Sequence, residues 1–286
     1  MELQTLKLFR VIALEGSFSK AAQKLNYAQS NLSVKMAQLE KELQTTLFYR
    51  HNRGISLTSK GEVLLQYATD LLNLASETEN ALQEQGEAEG VLTIGSMETT
   101  AISRLPGILS VYHGDNPYIT LTIQTKATEQ GIHGVLDYTL DGAFVAGPVR
   151  HPDLLAVPVE QEHLVLIADC TYPEVMTPAA LLGQTLVVFQ QGCAYRRILE
   201  QWLRAEALFP QKVIGFDSLG AIIASVSAGL GISLLPEAVV QPYIDSGVLR
   251  SYTIPERYAL VQTEFVYRKA GVVNPALKRF LKTLQK

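Results

Sequence analysis

The sequence lacks the features of several protein classes. No apolar run approaches the ~18 residues that cross a bilayer, so we expect no membrane span. The opening residues, MELQTLKLFR, carry charges within the apolar pattern and no secretory core, which predicts a folded helix in a cytoplasmic protein. Cys170 and Cys193 form no CxxC pair and have no histidine cluster nearby, so we expect reduced thiols and no zinc site.

Signatures of catalysis are also missing. The sequence has no GxSxG, no HExxH and no phosphate-binding loop, and its histidines are scattered over segments that read as a hairpin, turns and loops (His51, His113, His133, His151 and His163). We therefore predict no catalytic residue, no metal and no cofactor. An enzyme remains the main alternative, because a catalytic cluster that forms only in the fold leaves no such pattern.

Charge is distributed unevenly along the 286 residues, a length that suits two domains. Residues 1–60 contain nine Lys or Arg and four Asp or Glu, a net charge of +5. Residues 61–286 hold the other fifteen Lys or Arg and twenty-four Asp or Glu, a net charge of −9. A basic head on an acidic body indicates that the head binds a polyanion, the alternative being chance clustering.

The first 43 residues show three segments with apolar residues at helical spacing. They are Leu3–Ile12, Phe18–Leu25 and a segment from about Ala28 to Leu43. Gly16 breaks the first segment, Ser17 or Ser19 can cap the second, and Asn26-Tyr27 makes a tight turn before the third. Two short helices joined by such a turn form the helix-turn-helix pattern, which places its second helix against DNA.

The third segment has a polar outer face, formed by Gln29, Ser30, Asn31, Ser33, Lys35 and Gln38. Gln pairs bidentately with adenine, and Ser hydroxyls serve several bases, so this face suits the reading of base edges. An ordinary solvated helix face is the alternative.

A short hairpin follows the third helix. Leu47–Arg50 and Ile55–Leu57 suggest two short strands around the basic tip His51–Gly54. Arg50, Arg53 and Lys60 can contact phosphates, which positions a protein on DNA without reading its sequence. The pattern predicts a wing.

Residues Phe9 through Gly61 together form a more specific pattern, FxxxAxxGSFSKAAxxLxxxQSxLSxxxxxLExxLxxxLFxRxxRxxxLTxxG. It resembles the DNA-binding domain of the LysR-type transcriptional regulators. The resemblance implies a DNA-binding set of Ser17, Ser19, Gln29, Ser30, Asn31, Ser33, Lys35, Arg50, Arg53 and Lys60. Val34 and Lys35 depart from the basic residue and Gln or His that many members carry, so the phosphate-binding role falls to Lys35.

One long amphipathic helix is predicted from about Ser59 to Gln85, followed by a hinge over residues 85–90. Residues 61–89 contain seven acids and no Lys or Arg, so this helix should lie away from DNA. The resemblance implies a linker helix that pairs two subunits, which suits paired DNA half-sites. Packing on its own domain is the alternative.

Strands and helices alternate from Val91 onward, which predicts α/β layers. The order matches two lobes joined by crossing strands, as in periplasmic binding proteins. GxLxIG at 90–95 and AGLGISLLP at 228–236 resemble the LysR-type effector domain. We thus predict an α/β protein with a winged helix-turn-helix (1–60), a linker helix and hinge (61–89) and a two-lobed effector domain (90–286). Lobe I takes about 90–161 and 265–286, and lobe II about 162–264.

Ligands of open α/β folds bind at the carboxyl ends of strands, beside helix N-termini that favour anions. Ser96–Thr100 and residues 190–196 follow strands in the two lobes, Arg150 follows another, and Thr128 is added by family position. The predicted effector-binding set is Ser96, Met97, Thr99, Thr100, Thr128, Arg150, Gln190, Cys193 and Arg196, and the predicted effector is a small carboxylate. Simple capping is the alternative for the hydroxyls.

Cys193 also suggests a redox role, because Arg196, Arg197 and a helix N-terminus can lower a thiol pKa. The resemblance includes peroxide sensors, yet a cysteine that lines the pocket or packs in the core is the favoured interpretation.

The predicted function is that of a regulator of transcription that binds double-stranded promoter DNA as a homodimer or homotetramer, with RNA polymerase as a candidate partner. A pure ligand-binding or transport module is the second alternative, and the basic head argues against it.

Overall fold

The computed structural model describes residues 1–51, 54–82, 90–173, 181, 183–209, 212–269 and 275–285. Contacts divide the chain into two units, Met1–Gly86 and Glu87–Lys286. The hinge predicted over residues 85–90 falls almost wholly on residues 83–89, outside the described ranges. Within those ranges, no helix combines the length and the apolar character that a membrane span requires.

The first unit consists of helices around a small hairpin. In chain order its elements are α1 (Leu3–Glu15), α2 (Phe18–Leu25), α3 (Gln29–Glu42), β1 (Phe48–His51), β2 (Gly54–Leu57) and α4 (Ser59–Leu82). The strands pair antiparallel, with His51 opposite Gly54.

Local chemistry explains where these helices begin and end. Gly16 ends α1 in the left-handed conformation (φ 60°), which glycine adopts without steric cost. The Ser17 side chain then accepts the backbone N–H of Lys20 and caps α2. Thr58 caps α4 by accepting the N–H of Gly61 at 3.0 Å. A Cβ at Gly61 would lie 2.2 Å from the Leu47 carbonyl oxygen, so this position requires glycine.

The core of the first unit is built on aromatic and small residues. The Phe48 ring lies 5.3 Å from that of Phe9 and 5.7 Å from that of Phe18. Ala21 is fully buried, and this small side chain allows close packing in the core between α2 and its neighbours. Met36 of α3 is also fully buried, so one face of α3 is fixed in the core.

The second unit alternates strands and helices, as predicted. Its elements are β3 (Gly90–Ser96), α5 (Glu98–Ser103), α6 (Leu105–Asp115), β4 (Ile119–Thr125), α7 (Thr128–Leu136), β5 (Gly142–Ala146), β6 (Leu154–Asp169), β7 (Thr185–Phe189), α8 (Ala194–Ala205), β8 (Lys212–Phe216), α9 (Leu219–Ser227), β9 (Ser233–Pro236), α10 (Glu237–Asp245), β10 (Leu249–Tyr252), α11 (Glu256–Ala259), β11 (Leu260–Arg268) and α12 (Pro275–Thr283).

Two long strands connect two lobes within this unit. One sheet has the order β10-β6-β11-β5-β3-β4, and β9 also pairs with β6. The first part of β6 pairs with β11 beside the parallel strands β5, β3 and β4 of lobe I. Its last residues pair with β9 and β10 of lobe II, where β7 and β8 pair in parallel. Both β6 and β11 therefore cross between the lobes.

Several predicted elements have different limits in the structure. The strand predicted at Leu164–Ala168 is only the last part of the 16-residue β6. The helix predicted over Gly131–Tyr138 is α7, which begins at Thr128 and ends before Tyr138 (φ 63°). The prediction that the histidines lie in hairpin, turns and loops is wrong for His113 and His133, which are helical, and for His163, which lies in β6. The sequence pattern located these elements but not their ends.

Candidate functional site

The polar face of α3 begins at the helix N-terminus. Gln29, Ser30 and Asn31 are exposed, while Ser33 and Lys35 are half-buried. Val34, an apolar residue, is 56% exposed on the same helix. Because the opposite face is held in the core, α3 presents a short row of polar side chains and the apolar side chain of Val34 to solvent.

The predicted residues of α2 support this helix. The Ser19 hydroxyl donates to Oε1 of Gln29 at 3.0 Å, which joins α2 to the first residue of α3. Ser17 caps α2 with its side chain, as described above. Ser19 therefore restricts the Gln29 side chain, which would otherwise sample several rotamers.

Of the three cations predicted in and beside the hairpin, Lys60 is the one whose side chain the structure describes. Lys60 is exposed in the first turn of α4. Arg50 lies in β1 and its side chain is outside the described residues, as is the whole of Arg53. The N–H of Ile55 donates to the Gly16 carbonyl at 3.1 Å, so the hairpin is tied to the turn between α1 and α2.

The second unit contains a cavity of about 330 Å³ between its lobes. Lobe I contributes residues that follow β3 and β4, and lobe II contributes residues that follow β7 and β8. The lining residues are Met97, Glu98, Thr99, Thr125, Lys126, Ala127, Thr128, Gln130, Phe189, Gln190, Gln191, Cys193, Tyr195, Phe216 and Asp217. The cavity thus lies at the carboxyl ends of strands, where open α/β folds bind ligands.

Five residues of the predicted effector-binding set line this cavity: Met97, Thr99, Thr128, Gln190 and Cys193. The Thr128 hydroxyl accepts the N–H of Ala146 at 3.2 Å and donates to the Met97 sulfur at 3.4 Å. Nε2 of Gln190 donates to the Gly215 carbonyl at 3.3 Å. These contacts fix the two side chains in the cavity wall.

Four other residues of that set do not line the cavity. The buried Ser96 hydroxyl donates to the Met97 carbonyl, and the Thr100 hydroxyl is buried without a hydrogen-bond partner. Arg150 is exposed beyond β5. Arg196 is bound to Glu200 at 2.9 Å and to the Phe189 carbonyl at 3.2 Å, so its guanidinium is engaged by its own helix and by the end of β7.

Sequence reasoning missed the charged groups of the cavity. Lys126, Glu98 and Asp217 all line it. Lys126 and Asp217 directly follow the strand residues Thr125 and Phe216, so the rule that pointed to Gln190 could have found them. The cavity therefore has one cationic and two anionic side chains among its described residues.

Two sets of hydrogen bonds connect the lobes beside the cavity. Oε2 of Glu98 accepts the backbone N–H of Leu219, the first residue of α9, at 2.8 Å. The hydroxyls of Thr99 and Tyr195 lie 2.9 Å apart, and the Tyr195 hydroxyl donates to Oε2 of Glu162 at 2.6 Å. Burial raises the pKa of Glu162, and burial beside Glu162 raises the pKa of Tyr195 well above its ordinary value.

Cys193 directly precedes α8 and is partly buried. Burial raises the pKa of its thiol, and the opposing effects of the Tyr195 and Arg196 backbone N–H groups and of the Arg196 and Arg197 charges are smaller. These groups do lower the pKa, as the sequence suggested, but desolvation outweighs them and the net shift is upward. Among the described residues, no three His, Cys, Asp or Glu side chains form a group that could hold a metal ion.

Comparison with known families accounts for both units. Residues 3–62 match the family described as bacterial regulatory helix-turn-helix protein, lysR family. Residues 85–286 match the family described as LysR substrate binding domain. The matched ranges contain the α3 face and the interlobe cavity, respectively.

Similar proteins extend over nearly the whole chain. The HTH-type transcriptional regulator GltR of Bacillus subtilis is 46% identical over 281 residues, covering 98% of this chain and 95% of GltR. The regulator CzcR of Bacillus cereus is 40% identical, covering 100% of this chain and 97% of CzcR.

Solved structures share the fold at lower identity. A full-length OxyR variant of Pseudomonas aeruginosa aligns over 100% of this chain and 95% of its own, with a TM-score of 0.74 and 22% identity. Full-length CbnR in complex with its target DNA aligns over 100% and 99%, with a TM-score of 0.67 and 23% identity.

Proposed function

Because the chain belongs to the LysR family of bacterial DNA-binding transcription regulators, we propose that it binds promoter DNA selectively and that a small carboxylate in the interlobe cavity modulates this binding. The family consists of regulators rather than enzymes, and the proposed function needs no cofactor. The observation that carries the DNA-binding part is the exposed row Gln29, Ser30 and Asn31 at the start of a helix whose other face is buried. In helix-turn-helix proteins, residues at this position contact base edges.

Each side chain of α3 has a distinct proposed role. Gln29, held by Ser19, reads a base edge through its amide. The exposed Val34 contacts a thymine methyl group, for which an apolar side chain is suited. Lys35 contacts phosphate together with Lys60, Arg50 and Arg53, which adds affinity without sequence preference.

A homodimer is supported by an exposed apolar stripe on α4. Val63, Tyr67, Leu71 and Leu74 recur every three or four residues and are 40 to 62% exposed. On the other side of the helix, Ala68 is buried in the core of the first unit. Such a stripe is covered when two copies of the helix pair, which would present two α3 helices to two half-sites. Further pairing of dimers would give a homotetramer.

The cavity supports a small effector that carries a carboxylate group. Its volume of about 330 Å³ is at the lower end of the range for ligand pockets, ~300–1,000 Å³. Lys126 supplies a positive charge, and the N-terminus of α7 begins at Thr128 in the cavity wall. Free N–H groups at a helix N-terminus and a lysine ammonium both favour a carboxylate.

Ligand binding can affect DNA binding through the lobes. Lobe I and lobe II are joined at the cavity by the Glu98–Leu219 and Thr99–Tyr195 hydrogen bonds. A ligand that contacts both sides favours one arrangement of the lobes, by as much as its affinity differs between arrangements. In a dimer this would change the bend of promoter DNA and its access to RNA polymerase.

The DNA-binding role is tested by removing one base-reading side chain. Gln29→Ala should weaken binding to the DNA upstream of the protein's own gene more than binding to scrambled DNA, as measured by fluorescence anisotropy. Gln201→Ala, on the exposed side of α8 in the second unit, is the matched control and should change neither affinity. Equal losses on both DNAs for Gln29→Ala would contradict the base-reading role.

A further inference from the structure

Three buried polar side chains form a chain of hydrogen bonds from the crossing strand β6 to the cavity. Glu162 lies in β6, Tyr195 in α8 and Thr99 in α5, and each is at most 8% exposed. The Tyr195 hydroxyl lies 2.6 Å from Glu162 and 2.9 Å from Thr99. Thr99 and Tyr195 line the cavity, whereas Glu162 is not among its lining residues.

The end of this chain at Glu162 fixes the direction of the other hydrogen bonds. The Tyr195 hydroxyl donates to Oε2 of Glu162 at 2.6 Å. A tyrosine hydroxyl has a single hydrogen, so none is left for a bond to Thr99. The Tyr195 oxygen can then only accept from Thr99, and the Thr99 hydrogen is also used.

What Thr99 offers to a ligand follows from this order. With its hydrogen directed to Tyr195, the Thr99 oxygen has only lone pairs left for the cavity. It can accept a hydrogen bond from a ligand N–H but cannot donate one to a ligand carboxylate. The network thus makes Thr99 an acceptor, although a threonine hydroxyl is able to do both.

The charges of the cavity point to the same kind of ligand. Glu98 is bound to the N–H of Leu219, so one of the two acids already has a partner of partial positive charge. Of the charged residues that line the cavity, Lys126 and Asp217 have side chains that form no hydrogen bond or ion pair with any other described residue. One cation and one anion complement a ligand that carries both charges.

We infer that the effector is a zwitterion of the amino-acid type, whose carboxylate binds Lys126 and the start of α7 and whose ammonium donates to Thr99 and Asp217. This inference rests on the proposed function, since it concerns the effector of the same cavity. A ligand whose one charged group is a carboxylate would leave the Thr99 acceptor and the Asp217 charge unpaired. An unpaired polar group in a binding site costs affinity.

Matched pairs of probes test this by isothermal titration of the full chain. Each pair shares a carbon skeleton and differs in the amino group: alanine and propionate, aspartate and succinate, leucine and 4-methylpentanoate. For the pair that binds, the Kd of the amino acid should be about tenfold or more lower than the Kd of its partner carboxylate. If only the carboxylates bind, or if both members of a pair bind equally, the inference is overturned and the proposed function stands. Absence of binding by either class overturns the inference and also the carboxylate part of the proposed function.

Substitutions in the network test its role apart from folding. Thr99→Val keeps the shape but removes the acceptor, so the Kd for the amino acid should rise about tenfold while that for its partner carboxylate stays unchanged. Glu162→Leu removes the acceptor and so frees the Tyr195 hydrogen to be donated to Thr99, and it should reduce the discrimination in the same way. Thr99→Ser retains the hydroxyl and should retain the discrimination. Loss of affinity for both probes alike would contradict a specific role of the network.

Discussion

The Glu98 carboxylate in lobe I accepts the backbone N–H of Leu219 in lobe II at 2.8 Å. Leu219 is the first residue of α9, and the N-cap Ser218 makes no side-chain capping bond. Glu98 therefore caps the N-terminus of α9, although it lies on the opposite side of the cavity. Helix capping and the contact between lobes thus depend on one side chain.

We expect Glu98→Ala to lower the stability of the second unit by about 1 kcal/mol, since a hydrogen bond to a charged group is lost at a half-buried site. For a unit of this size the midpoint of its thermal unfolding should fall by about 2–4 °C, which differential scanning calorimetry measures. Glu98→Gln keeps an acceptor oxygen and should lose less. Identical midpoints for both variants and the wild type would show that the bond contributes nothing.

The exposed stripe on α4 predicts how the oligomer responds to charge. Replacing Tyr67 and Leu74 with Lys should shift the protein toward the monomer, because two cations on each copy would face each other without compensation. Analytical ultracentrifugation measures the shift. Leu230→Lys changes a comparably exposed leucine of the second unit and should leave the oligomer intact. A doubly substituted protein that keeps the mass of the wild type would place the dimer contact elsewhere.

The two cysteines should differ in reactivity. Burial raises the pKa of Cys193, so its thiolate fraction at pH 7.5 falls below that of an ordinary thiol with pKa about 8.5, whereas Cys170 is exposed. In Cys170→Ser the remaining cysteine is Cys193, and its reaction with iodoacetamide should be slow at pH 7.5 and accelerate as the pH is raised. Cys193→Ser should react readily. Rapid alkylation of Cys193 at neutral pH would revive the redox interpretation.

Lys35 is predicted to contact phosphate rather than bases. Lys35→Ala should weaken binding to cognate and scrambled DNA alike and reduce the slope of log K against log salt by about 1. Lys212→Ala, an exposed lysine of the second unit, should leave the slope unchanged. A selective loss on cognate DNA would instead assign Lys35 to base reading.

Sequence patterns predicted the first unit well because its signals are local. The ends of α1 and α2 are marked by nearby residues, namely Gly16, Ser17 and Asn26. Apolar spacing identified the buried face of α3. The same holds for the alternation of strands and helices in the second unit. The resemblance to the LysR family, read from Phe9 to Gly61, is confirmed by the family matches.

The cavity was predicted less completely because its contacts connect distant positions. Tyr195 and Glu162 are 33 residues apart, and Glu98 and Leu219 are 121 residues apart. The sequence around Tyr195 contains no local pattern that predicts a buried carboxylate partner. Arg196 is a local exception, because Glu200 one helical turn later engages it, an i,i+4 pairing that the sequence itself indicates.

Binding of the full chain to DNA from its own upstream region, followed by anisotropy over a salt series with and without the amino acid and carboxylate probes, tests the central claim most directly. We expect an affinity for upstream DNA about 1,000-fold or more above that for scrambled DNA, a steep salt dependence, and a shift of this affinity by one class of probe. Equal binding to both DNAs at every salt concentration, unaffected by any probe, would contradict it.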